Sequence, residues 1–215
     1  MASDLGTLQR CGAQHIAEYC DQSSSFAWPA YDIDLTPGRF APVELLAPAL
    51  LSYPLSGKKI VQPMLADNDS DYRRLYRAIE STVETQFKQP AQFDELSATH
   101  ITEGTGPPPW QEFWKAWTLA DRCAHITSVG LTKVLHRKAP DLVPIMDSRV
   151  RAFFGCERGA RASVDAMLAI RANLDAHRDL VTSWCGVAKA DKPQLKPLRA
   201  IDIAVWMHMG GCEYP

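Results

Sequence analysis

The sequence predicts an all-α protein of irregular, multi-helix architecture. Three observations predict it: long segments whose apolar residues recur every three to four positions, Pro and Gly clusters between those segments, and almost no period-2 alternation. In chain order, Tyr31 to Leu35 is the one segment that reads as a strand. Val43 to Leu51 follows as a short helix. From Asp71 to Lys88, Leu75, Tyr76, Ile79, Val83 and Phe87 fall at helical spacing, with Ser70 or Asp71 to cap the start. The next helix is expected from Pro109 to Ile126, because Trp110, Phe113, Trp114, Trp117 and Ala120 line one face and Pro is tolerated in a first turn. Short helices are expected at Thr127 to Arg137 and Ser148 to Phe154. Ser163 to Arg178 is amphipathic, and Leu198 to Met209 is apolar on most sides, closed by Gly210. The Pro- and Gly-rich loop before Trp110 suggests a subdomain boundary near 99–109, within a single domain of two closely packed helical subdomains spanning 1–215.

Composition limits the function. The chain has 215 residues and is 46% hydrophobic and 22% charged, the profile of a globular protein. A chain of this length buries roughly 70% of its unfolded surface and needs no disulfide or metal to hold a core. The six Cys are scattered and never form C-x-x-C, so reduced, mostly buried thiols are expected. No leader-like segment or membrane-length apolar run is visible, which leads to the expectation of a soluble cytoplasmic protein with no membrane partner. The sequence carries no signal for oligomeric state.

Most catalytic and metal motifs are missing. Asp67 to Asp71 alternates like a calcium loop, but Tyr72 stands where Gly is required and Ala78 where the closing Glu belongs. None of the six His pairs with another at helical spacing or sits in H-E-x-x-H, so neither a metal nor a cofactor is expected. Ser23 to Ser25 lacks a nucleophile elbow, and there is no phosphate-cradling Gly loop ending in Lys.

The informative stretch is basic. The formal net charge is −2, yet Lys133 to Arg161 holds seven basic and three acidic residues, +4, leaving −6 elsewhere. A local cationic segment in an acidic protein suits phosphate contacts, and a solvated helical face is the plainer alternative. Within it, Ser128-Val129-Gly130 reads as a tight turn whose backbone N–H groups could meet a phosphate, with Lys133 just beyond. Asp147 stands at the start of a helix, a position it would equally hold as a simple cap.

This stretch resembles the core of the helix-hairpin-helix DNA glycosylase superfamily, including its 8-oxoguanine glycosylase-like branch. Ser128 to Gly130 looks like the hairpin turn, Lys133 like the helix-borne Lys, and Asp147 like the Asp that opens the next helix. The whole chain is also similar to a group of bacterial proteins of unassigned function common in actinobacteria. That likeness rests on TPGRF near residue 36, KVLHRKAPDLVPIMDSRV and LRAIDIAVW. The glycosylase resemblance implies DNA as partner and base excision as reaction. Lys133 would be the nucleophile and Asp147 the stabiliser of positive charge at the sugar. Ser128, Gly130, Arg137, Lys138, Arg149 and Arg151 would hold phosphates, and Trp114, Trp117 or Phe154 would wall the base pocket. The Lys-to-Asp spacing is shorter than is usual there, and one Gly remains in the turn. Two other readings stand beside it: a non-catalytic helical interaction protein on the same scaffold, and an enzyme acting on another small substrate.

Overall fold

In a computed structural model, residues 3–21, 30–34, 36–51, 61, 70–123, 126–157, 161–187 and 195–210 are described. The described residues form nine α-helices and no strand. The helices are α1 Gly12–Cys20, α2 Asp71–Lys88, α3 Ala98–Glu103, α4 Pro108–Ala120, α5 Ser128–Lys138, α6 Ser148–Phe153, α7 Ala162–Ala176, α8 Arg178–Cys185 and α9 Pro197–Met209. Three 3₁₀ segments, Leu5–Leu8, Pro42–Leu51 and Phe93–Glu95, complete the list.

The chain divides into two compact units. The terminal unit comprises residues 1–32 and 144–215, and the central unit residues 33–143. The loop near 99–109, expected as a boundary, lies inside the central unit. There the indole N–H of Trp110 donates to the His100 carbonyl at 2.7 Å, tying α4 to α3 across that loop. Gly104 ends α3 in the left-handed conformation at φ 68°. Any Cβ there would lie 2.0 Å from the Trp114 ring, so both backbone and space require glycine.

The central unit is built on α2 and α4, which pack along most of their length. Ser70 caps α2 by accepting from Arg73 N–H, and the predicted apolar stripe is buried at Leu75, Ile79 and Val83. Phe87 does not follow that stripe and is 64% exposed. On α4, Trp110, Phe113 and Trp117 stack successively with centroids 4.8 and 5.7 Å apart. These tryptophans are core packing, as their spacing favours. The expected run to Ile126 stops at Ala120 because the chain tightens into i→i−3 bonds, Arg122 N–H to Leu119 O and Cys123 N–H to Ala120 O. Pro42–Leu51 is 3₁₀ rather than α-helical and contains Pro48, which lacks the N–H an α-helix would use.

In the terminal unit α9 is central, with α1, α6 and α8 packed against it. Its residues from Leu198 to Val205 are all buried, matching the expectation of a helix apolar on most sides. The segment read as one helix over Ser163 to Arg178 is broken at His177, and a separate helix, α8, continues to Cys185. Tyr31 to Leu35 is not a strand over its described residues 31–34; Tyr31 and Asp32 lie in a turn, and their side chains bind Arg199 instead of a neighbouring backbone. The five described Cys are free thiols, three of them buried. Burial pushes the Cys185 thiol up to about 11, so it stays protonated at neutral pH. Alkylation of the native protein at neutral pH is therefore expected to spare Cys185, read by mass spectrometry, until denaturant is added.

Candidate functional site

The predicted basic site falls on two helices in different units. Thr127 caps α5 by accepting from Gly130 N–H, so Ser128 to Gly130 form the first turn of that helix rather than a hairpin turn ahead of it. Gly130 is buried and Ser128 half-buried. Lys133 lies in the second turn with 6% of its surface exposed, and its ammonium donates to the Leu51 carbonyl at 3.0 Å.

The cations at the end of α5 point into the central unit. Arg137 donates to Glu44 at 2.8 Å and to the Ile33 carbonyl at 2.7 Å. The Lys138 ammonium, with its side chain fully buried, meets Asp34 at 2.6 Å and Glu44 at 2.9 Å. It also donates to the Thr36 hydroxyl at 2.8 Å, while that hydroxyl donates to Glu44 at 3.0 Å. The TPGRF segment and Pro42–Leu51 are thus held onto α5 by a closed polar cluster. A phosphate contact through Lys138 would have to displace two carboxylates.

In the terminal unit, Asp147 caps α6. One carboxylate oxygen accepts from Arg149 N–H and Val150 N–H, both at 3.0 Å. The side chain is 8% exposed. This geometry needs an acceptor and no catalysis. Asp147→Ala is expected to lower the unfolding free energy by about 1 to 2 kcal/mol in urea titration, and Asp147→Asn by a few tenths. Arg149 lies over the Trp206 ring at 4.3 Å and donates to the Trp206 carbonyl at 3.2 Å, joining α6 to α9. Arg151 is half-buried on α6, and Phe154 is buried. Arg158, Ser23 to Ser25 and the acidic run from Asp67 to Asp69 lie outside the described residues.

The most concentrated polar chemistry in the terminal unit was not singled out as a site by the sequence. Arg199, 3% exposed, grips Asp32 with two nitrogens at 2.8 and 3.1 Å, contacts Asp202 on its own helix, and donates to the Tyr19 hydroxyl at 2.8 Å. Its guanidinium also lies 4.9 Å from the Tyr31 ring centroid. Burial alone would lower the Arg199 pKa, but Asp32, Tyr19 and Asp202 outweigh it and hold the pKa well above the usual value. Tyr31 is driven up chiefly by burial and stays a phenol. Arg199 and Asp202, three apart in LRAIDIAVW, were the available signal: two opposite charges on the face of an otherwise apolar helix. Elsewhere in this unit, a cavity of about 540 Å³ is lined by Gly6, Gln9 and residues 175–180. None of the predicted site residues lines it.

The fold and these clusters define a class: an all-helical protein with buried ion-pair networks, and with no described helix long and apolar enough to cross a membrane. The chain belongs to a family of unknown function, DUF6308, whose model matches residues 12–209. No curated protein and no solved structure matches it.

Proposed function

We propose that the protein works as a helical interaction module, binding a protein partner, and that its basic segment is structural. The observation carrying this reading is the use of the α5 cations: Lys133, Arg137 and Lys138 donate to Leu51 O, Glu44 and Asp34 instead of facing solvent. Phosphate binding requires cations whose counterions are released on contact, and these already have internal partners. The same fact weighs against base excision through Lys133, because a nucleophilic amine must reach a substrate carbon. An apolar ridge on Pro42–Leu51 offers the contrasting surface. Val43 and Leu46, one 3₁₀ turn apart, are 62% and 43% exposed and Leu50 is 39% exposed, and exposed large apolar side chains of this kind are what a protein partner covers.

Duplex DNA, intact or with an abasic site, discriminates the readings. Fluorescence anisotropy across a salt series is expected to give a log–log slope near zero, and borohydride no trapped adduct. A slope of several, lost in Arg149→Ala and Arg151→Ala, or an adduct lost in Lys133→Ala, would restore the nucleic-acid reading.

A further inference from the structure

Two side chains of one helix and a third almost two hundred residues later converge in the terminal unit in a way neither the ion-pair clusters nor the interaction reading uses. Cys11 stands at the N-cap of α1 and His15 lies four residues on, so both project from one side of the same helix. Packing of α1 on α9 brings His208 to them, with the His15 and His208 rings edge to face at 6.0 Å. One sulfur and one nitrogen from each imidazole all lie within 4.8 Å of one another. Phe153 stands against the His208 ring from the α6 side at 6.1 Å.

We propose that Cys11, His15 and His208 form a binding site for a zinc ion, with a fourth position left to water. One thiolate and two imidazoles are a borderline-soft donor set, which favours zinc over the oxygen-loving calcium and magnesium. Zinc bonds of about 2.0 to 2.3 Å set ligand atoms roughly 3.3 to 3.8 Å apart in a tetrahedron. The observed spread closes to that size by about 1 Å of side-chain movement, and His208 at the surface is free to make it. Exposure of His208 also provides the entry path, while buried His15 supplies the rigid side of the site. On binding, the Cys11 S–H bond breaks, an S–Zn bond forms, and the proton passes to solvent. Histidine pairing within one helix is the usual sequence search, and a Cys–His pair whose third partner lies on the last described helix escapes it.

Cobalt(II) is the direct probe, added to the full chain after chelator treatment and reduction. One equivalent is expected to give sulfur-to-cobalt charge-transfer absorption with the intense visible bands of a tetrahedral ion, and one equivalent of zinc to abolish both. Cys11→Ala should remove the charge-transfer band, and His208→Ala should weaken zinc binding by at least about tenfold, whereas Cys156→Ala should change neither. His208 is exposed and Cys11 half-buried, so both variants are expected to keep the wild-type circular dichroism. No charge-transfer band in the wild type, or a band that survives Cys11→Ala, would overturn the site. A wild-type zinc affinity retained in His208→Ala would overturn the three-residue assignment.

Discussion

Replacing Arg199 with methionine is expected to reduce the unfolding free energy by about 3 to 5 kcal/mol, enough to unfold much of a marginally stable domain. Methionine fills most of the volume but carries no charge, so Asp32 and Asp202 lose the guanidinium that neutralises both. Asp202 is 6% exposed, and an uncompensated carboxylate at that depth is far more costly than a lost surface pair. Tyr19 loses its hydrogen bond to Arg199 in the same variant. Urea denaturation at neutral pH measures the loss. Adding Asp202→Asn to Arg199→Met should recover part of the stability, since one of the two stranded charges is then gone. A loss below about 1 kcal/mol for Arg199→Met would mean that water reaches the cluster and solvates both carboxylates.

Lys138→Met is the second large effect, expected at about 3 kcal/mol by the same mechanism. It falls below that of Arg199 because Arg137 still holds Glu44 at 2.8 Å, and the Asp34 side chain retains 22% exposure. Thr36 loses two hydrogen bonds donated by the ammonium, so the TPGRF segment loosens from α5. Hydrogen exchange should therefore rise in residues 36–44 before it rises in α2. A double-mutant cycle with Asp34→Asn gives the coupling, expected to be positive and above about 1 kcal/mol. If the cycle is additive, the lysine is a surface cation and the internal-partner basis of the interaction reading goes with it.

The sequence discloses helices wherever an apolar stripe is long. Helix α2 has the predicted bounds because Ser70 caps it and Leu75, Ile79 and Val83 mark its buried face. Gly12–Cys20 was missed because its buried face includes His15, Cys20 and Gly12, which a hydrophobic count barely registers. Helix α8 escapes for a different reason: it is eight residues long and buries only Val181, Trp184 and Cys185, too few positions to show a period. Side-chain direction set the limit at the basic segment. Composition identifies seven cations from Lys133 to Arg161 but cannot reveal that Glu44 and Asp34, about a hundred residues earlier, lie under Arg137 and Lys138. Asp147 was legible as a cap from its position alone, and that is the role its hydrogen bonds give it.

The terminal unit draws on both ends of the described chain, and this orders events in time. Tyr19 and Arg199, joined by a hydrogen bond, are 180 residues apart. During synthesis α1 leaves the ribosome long before α9, while the central unit has every one of its own segments in hand once Val143 has emerged. The early segment must wait, its apolar face uncovered, until α9 has been made. Closing so long a loop before any contact rewards it is slow. Refolding from denaturant should accordingly show the α4 tryptophans settling first and Trp184, beneath Gly12, last. Helix α9 acts as a latch, and the terminal unit closes only once residues 197–209 have been made.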